Sequence, residues 1–398
     1  MSRPSLTELL KQADQCVKCG LCLSDCPTYQ LYQSEADSPR GRITLAQTLL
    51  QQEIIVEKTS VLKHFDRCLG CGRCEKVCPS MVGYQGLIDE TRYRFSLSSV
   101  PKWQLAFFTR ASFLKFGLKL SNILPESFKK FLPGILKSAS RTNLDIKTQK
   151  TTADIHKETA NNRGQIAFFT GCVGQVVDAS AIEKTRLILE HIGYSVVIPQ
   201  SQTCCGAMHQ HEGYIDDADE LAQQNLTVFS EQDFDAVLYF ASGCASQLNK
   251  IAKQENIKLE EATSFVGRLP EIQQLSKNNS AEPVVLHIPC TQLNKTENAN
   301  TVRQIVKSIA KQGFQELADN HVCCGSAGLH QLKLPESADK FMQPKVESLK
   351  TSGVDTLLTS NTGCALHFRQ AIGSQQLNKR VMHPVEWISD LYFANLDQ

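Results

Sequence analysis

Two short stretches constrain this chain more than anything else in it: CVKCGLCLSDCP at 16–27 and CLGCGRCEKVCP at 68–79. Both follow C-x2-C-x2-C-x3-C-P, the run that holds cubane iron–sulfur clusters. The spacing is geometric. Three thiolates two residues apart wrap a short loop around three irons of one cube. The proline then turns the chain away, and the fourth cysteine reaches the other cube. On that rule Cys16, Cys19, Cys22 and Cys78 hold one [4Fe-4S] cluster, while Cys68, Cys71, Cys74 and Cys26 hold a second. Structural zinc also uses C-x2-C pairs, but it has no use for a third cysteine or a trailing proline.

The chain has 16 cysteines in 398 residues and no apolar signal core in its opening MSRPSLTELLKQADQ. In the reducing cytosol such cysteines serve as metal ligands rather than disulfides. A cytoplasmic protein is expected, one that can sit peripherally on the inner face of the membrane. No run of about 18 apolar residues suggests a membrane span. With 42 basic and 41 acidic residues, nothing points to nucleic acid as a partner. Between the two cysteine runs, Leu45, Leu49, Leu50, Ile54, Val61, Leu62 and Phe65 recur at helical spacing. The expectation for 1–100 is therefore a mostly helical ferredoxin-type domain with two [4Fe-4S] clusters. Within it SPRGR, Ser38 to Arg42, reads either as a solvated turn or as a docking or cluster-tuning contact.

From Pro101 to Lys150 the composition turns basic, with ten Lys or Arg against Glu126 and Asp145. Apolar and basic residues interleave there, which suits packing on the protein itself, a partner subunit or an anionic membrane surface. Residues 148–164 read as a polar linker, so 101–164 is a connecting segment.

The remainder repeats itself. QIAFFTGC (165–172) matches PVVLHIPC (283–290), TCCGA matches VCCGS, and DAVLYFASGC (235–244) matches DTLLTSNTGC (355–364). Each copy reads strand, helix, strand, helix, strand; in the first, the helices fall near 178–193 and 214–230. Continuous apolar strands alternating with helices indicate buried parallel sheets. The fold class is thus multidomain α+β: a helical ferredoxin domain, then tandem α/β domains over 165–275 and 283–398. Parallel strands put their carboxyl ends on one edge, where open α/β sheets bind ligands. Cys172, Cys204, Cys205 and Cys244 follow the strands of copy one, and Cys290, Cys323, Cys324 and Cys364 those of copy two. Each set should converge. Neighbouring cysteines can face one site only from a turn, and Gly206 and Gly325 supply the backbone freedom such a turn needs. A vicinal disulfide or buried apolar thiols are the competing readings. His209, His211, His321 and His330 flank these turns, as solvated or supporting groups or as proton handlers. No G-x-G-x-x-G or G-x4-G-K-[ST] occurs, so a nucleotide or flavin site is not expected in this chain.

CVKCGLCLSDCPTYQL, SPRGRI, RCLGCGRCEKVCPS, FFTGC, CCGA, ASGC, HVCCGSAG, TSNTGC and HPVEWISDL occur in that order. Together they resemble the iron–sulfur subunits of bacterial glycolate oxidase across nearly the whole chain. The resemblance implies an electron-transfer subunit serving an FAD-binding dehydrogenase subunit that oxidises glycolate to glyoxylate. It also implies a quinone-type membrane acceptor, and further iron–sulfur clusters in the two CCG domains. D-lactate and glycerol-3-phosphate dehydrogenases use similar subunits. So does heterodisulfide reductase, whose motif ends in C-x2-C; here the first position of that pair is Ala241 or Asn361, which counts against a thiol–disulfide reductase.

Overall fold

The computed structural model describes residues 3–51, 57–109, 163–253, 255–277, 282–296 and 298–396. The basic stretch from 110 to 150 and the linker up to 162 lie outside the described residues.

The N-terminal domain is helical. Its first helix, Leu6–Asp14, opens with a capping box in which the Glu8 N–H donates to Ser5 Oγ and the Ser5 N–H to the Glu8 carboxylate. Helices Pro39–Gln51, Lys58–Asp66 and Tyr84–Phe95 pack beside it. Ile43, Ala46, Leu49 and Leu50 turn one stripe of helix Pro39–Gln51 inward, against Leu9, Phe65, Leu87 and Ile88. The cysteine runs wrap the rim of this core.

Two parallel four-stranded sheets follow. The first holds β1 (Gln165–Phe169), β2 (Ser195–Val197), β3 (Ala236–Tyr239) and β4 (Leu259–Glu261), ordered β2-β1-β3-β4. The second holds β5 (Val284–His287), β6 (Phe314–Glu316), β7 (Thr356–Thr359) and β8 (Arg380–Met382), ordered β6-β5-β7-β8. The register is equivalent: Ile166 stands between Val196 and Ala236, and Val284 between Phe314 and Thr356. The helices expected near 178–193 and 214–230 run Ala179–Ile192 and Ile215–Ser230. Three strands per copy are read from the sequence, and the structure adds β4 and β8. Both are three-residue edge strands, LEE and RVM, too short to carry an apolar run of their own.

Strand alternation divides the burial. Ile166 and Phe168 in one sheet, and Val284 and Leu286 in the other, enter a core shared by both lobes. Ala167 and Phe169 point to the opposite face, with Cys172, Cys204 and Cys205; Val285 does the same with Cys324 and Cys364. The lobes are also joined by the last helix, Pro384–Leu396, which leaves the second sheet to pack on Ala179–Ile192 of the first. There Lys184 meets Glu386 at 3.3 Å and Asp390 at 2.7 Å.

The N-terminal domain docks on both lobes, and its second cysteine run meets the second lobe. Asn294 Nδ2 donates to the Cys71 carbonyl at 3.0 Å, Arg73 Nη1 to the His321 carbonyl and Lys76 Nζ to the Leu293 carbonyl, both at 2.8 Å. Lys333 bridges all three bodies, reaching Asp66 and Glu212 at 2.7 Å each.

Candidate cluster-binding sites

The N-terminal cysteines divide into two sets around separate recesses. Cys16, Cys19, Cys22 and Cys78 line one with Pro39, Arg40 and Ile43. Cys26, Cys68, Cys71 and Cys74 line the other with Arg42, Tyr84 and Gln85. Cys74 stands at the wall between the two recesses. Cys26 thus lines the recess of the second run, and Cys78 that of the first.

The surroundings of the inner quartet were only partly legible in SPRGR. That segment is no solvated turn, since Ser38 and Arg42 are buried. Arg42 Nε donates to the His64 carbonyl at 2.7 Å and Nη1 to Thr28 Oγ1 at 3.1 Å; Nη2 faces Asp37 at 3.5 Å with no hydrogen bond of its own. Burial opposes its charge, but Tyr84, Cys68, Cys26 and Asp37 outweigh that and raise its pKa further above the usual arginine value. Tyr84 donates its hydroxyl to Cys68 Sγ at 3.4 Å. Burial, then the neighbouring Cys290, pushes the Cys71 thiol up to about 12; burial also raises Cys74. Thiols so placed need a metal's charge to ionise. The residues therefore fit an anionic group seated among them beside a fixed arginine.

In each lobe the cysteines from three loops come together at the carboxyl edge of the sheet. Cys172 and Cys204 stand 3.5 Å apart sulfur to sulfur, and Cys324 and Cys364 stand 3.1 Å apart. Thiol contacts continue through Cys205 to Cys244, and through Cys323 to Cys290. The flanking thiols hold Cys205 and Cys324 well below the ordinary thiol range and are themselves raised; in the second set Cys323 also lowers Cys290, so the first set favours one thiolate and the second two. The doublets sit in turns. Gly206 has φ +81° and Gly325 φ +86°, and a Cβ there would lie 2.8 and 2.6 Å from the carbonyl oxygens of Ala218 and Ala338. Only glycine serves at such a point. All the cysteines are free, which removes the vicinal disulfide.

Both sets face one cavity of about 230 Å³, walled also by Leu69, His330 and Lys333. The sulfurs of each set stand in mutual contact at its wall. Among the described residues no three such donors meet at the spacing of a single metal ion.

At one of the two positions where a fifth cysteine is missing, the residue present has a structural role. Asn361 caps helix Thr362–Ser374, accepting from the N–H groups of Gly363 and Cys364 at 3.0 and 3.3 Å. Its amide donates to Ser242 Oγ at 3.2 Å, next to Ala241 in the other lobe. Of the flanking histidines, His209 and His330 are buried rather than solvated. Burial lowers both, His330 to about 4. His211 faces Asp89 at 3.5 Å, and His321 is exposed. Reasoning from sequence missed Asp37, Tyr84 and Lys345, none of which lies in a recognisable motif.

Residues 12–82 match the 4Fe-4S dicluster domain, and residues 166–249 and 284–369 each match the cysteine-rich domain. The chain joins a 4Fe-4S dicluster domain to two cysteine-rich domains. Several relatives align with this chain over most of its length. A probable glycolate oxidase iron–sulfur subunit of Bacillus subtilis is 29% identical over 402 residues, covering 92% of this chain and 90% of that one. The glycolate oxidase iron–sulfur subunit of Escherichia coli is 27% identical over 388 residues, covering 89% of each. A fumarate reductase (CoM/CoB) subunit of Methanothermobacter marburgensis is 24% identical, covering 96% of this chain and 73% of that one. The dicluster and cysteine-rich domains fit [4Fe-4S] clusters.

Proposed function

We propose that this protein is the iron–sulfur electron-transfer subunit of a glycolate oxidase-type complex. An FAD-binding subunit removes two electrons and two protons from glycolate to give glyoxylate, and a quinone-type acceptor at the membrane receives the electrons. The supporting observation is the contiguity of the cysteine sets. The outer quartet reaches the surface at Cys19, the inner shares Cys74 with it, and Cys71 stands beside Cys290 of the second lobe. When bound, [4Fe-4S] clusters accept and release electrons singly.

In this reading Cys16, Cys19, Cys22 and Cys78 hold the outer cluster and Cys26, Cys68, Cys71 and Cys74 the inner one. Cys172, Cys204, Cys205 and Cys244, with Cys290, Cys323, Cys324 and Cys364, hold one more in each lobe. The rest of the chain excludes water, fixes the thiolates and sets the local field: Tyr84 donates to a ligand sulfur, and Gly206 and Gly325 bring paired cysteines to one side. Among the described residues no helix is long and apolar enough to cross a membrane. Contact with the membrane acceptor is therefore assigned to a peripheral face or to another subunit.

The test is iron and acid-labile sulfide per chain after anaerobic purification, with EPR of the reduced protein. About sixteen irons are expected, four for each quartet. About eight, with no signal beyond those of the N-terminal pair, would confine the clusters to the ferredoxin-type domain and leave the lobes as a docking scaffold.

A further inference from the structure

We propose that Lys345 is a fixed buried cation that makes the second cysteine-rich site easier to reduce than the first. The proposal rests on reading both cysteine sets as cluster sites.

The two lobes can be compared position by position. In each, the CCG glycine abuts an alanine on the following helix, Ala218 or Ala338. Seven residues beyond that alanine stand Asn225 and Lys345, both buried. Asn225 is a neutral clamp: its Oδ1 accepts from the Thr203 N–H at 2.8 Å, and its Nδ2 donates to the Cys204 carbonyl at 3.0 Å. Lys345 occupies the same place with an ammonium, 1% exposed, donating to the Asp319 carbonyl at 2.8 Å. No carboxylate pairs with it among the described residues. Burial lowers its pKa, and the groups that oppose this are Cys324, Cys323, Cys364 and Cys290. Burying an ammonium is costly unless an opposing charge accompanies it. The second cysteine set is the opposing charge.

Two neighbouring differences also set the second site apart. His287 replaces Phe169 three residues before the first cysteine of each set, but burial holds it at about 3, so it stays neutral. His367 replaces Gln247 three residues after the last cysteine. Burial opposes its charge, but Asp339 at 3.5 Å and a hydrogen bond to Cys324 raise its pKa, so it also favours negative charge there; the Lys345 variants isolate the lysine's share. Reduction adds negative charge, which a nearby cation in a low-dielectric interior stabilises. The second lobe is also the one that Cys71 adjoins, so the more reducible site lies next to the inner N-terminal quartet.

The test is potentiometric EPR titration of the full anaerobically purified chain, comparing wild type with Lys345→Asn, which installs the first lobe's residue. One cysteine-rich midpoint should fall by at least tenfold in its reduction equilibrium, 59 mV for one electron, while the others stay. Asn225→Lys should raise the other cysteine-rich midpoint. If Lys345→Asn loses iron, Lys345→Met supplies the neutral comparison and Lys345→Arg should keep the wild-type value. Full iron loading with unmoved midpoints in the neutral variants overturns the proposal alone. A wild type holding only about eight irons overturns the cluster reading, and the proposal with it.

Discussion

The two N-terminal quartets are built on the same twelve-residue pattern and live in opposite surroundings. The outer one is at the surface: Cys19 is exposed, and Val17, Leu21 and Met81 around it leave apolar side chains in water, Met81 83% exposed. Its arginine, Arg40, is spent on the surface, bonded to Glu35 and to the Lys18 carbonyl. The inner quartet faces the second lobe and is backed by Arg42 and Tyr84. Two residues of one motif, Arg40 and Arg42, thus serve different sites because helix Pro39–Gln51 turns one outward and the other inward. The difference teaches that spacing fixes which thiolates gather, whereas the neighbours decide how the site behaves. An exposed apolar rim suits contact with a partner, and a buried charged pocket suits a site of tuned potential.

The sharpest way to break this comparison is to test the crossing of ligands. Cys26→Ala and Cys78→Ala should each remove a cluster, about four irons, but from the opposite sites: Cys26→Ala from the inner, Cys78→Ala from the outer. EPR of the reduced variants should show a different signal missing in each. Loss of the outer signal in Cys26→Ala and of the inner in Cys78→Ala would mean that each run binds its own four cysteines.

Next in size is the support behind the inner quartet. Asp37 is fully buried and accepts from Arg67 at 2.7 Å, with His64 Nδ1 at 2.9 Å and Arg42 at 3.5 Å. Asp37→Ala leaves a buried guanidinium uncompensated, which costs about 3–5 kcal/mol. Thermal unfolding should show a large fall in Tm and loss of the inner cluster first. Glu35→Ala, at the exposed pair with Arg40, should leave Tm near wild type.

Much of this was legible in the sequence, for reasons that particular residues show. The crossed quartets follow from local spacing, and the convergence of Cys172, Cys204, Cys205 and Cys244 follows from parallel strands ending on one edge. Gly206 and Gly325 carry the positive φ that their place after a cysteine pair suggested. What stayed hidden depends on contacts distant in the chain. Asp37 gathers partners from 27 and 30 residues away. Lys345 looks like any helical lysine until its helix is packed against the second cysteine set. The strands β4 and β8 are edge strands, ordered by the neighbour they pair with and not by their own apolar content.

A smaller effect concerns the seam between the inner half and the second lobe. His330 is buried there, with Nδ1 facing the Asp66 carbonyl and Nε2 facing Ser337, each at 3.2 Å. Burial lowers it to about 4 from 6.5. The folded pKa is below the unfolded one, so the fold prefers neutral histidine. Its contribution is complete above 6.5 and is lost as pH falls towards 4, by up to about 1.4 kcal/mol per pH unit. Urea unfolding across that window should show the slope in wild type and a flatter one in His330→Gln. Equal slopes would place the acid sensitivity elsewhere.

The smallest effect isolates one hydrogen bond. Tyr84 is buried and donates to Cys68 Sγ, and the outer quartet has no comparable tyrosine among the residues lining its recess except Tyr84 itself. Which sulfur it serves therefore decides which cluster it tunes. A hydrogen bond to a ligand sulfur stabilises the more negative, reduced form, and a single such bond is worth about 1 kcal/mol. Tyr84→Phe keeps the ring in the core and removes only the donor. The inner midpoint should fall by less than the 59 mV of a tenfold change, with the outer midpoint fixed and Tm little altered. A fall in the outer midpoint instead would reverse the assignment of Tyr84 to Cys68 and, with it, the claim that the inner site alone is tuned from within.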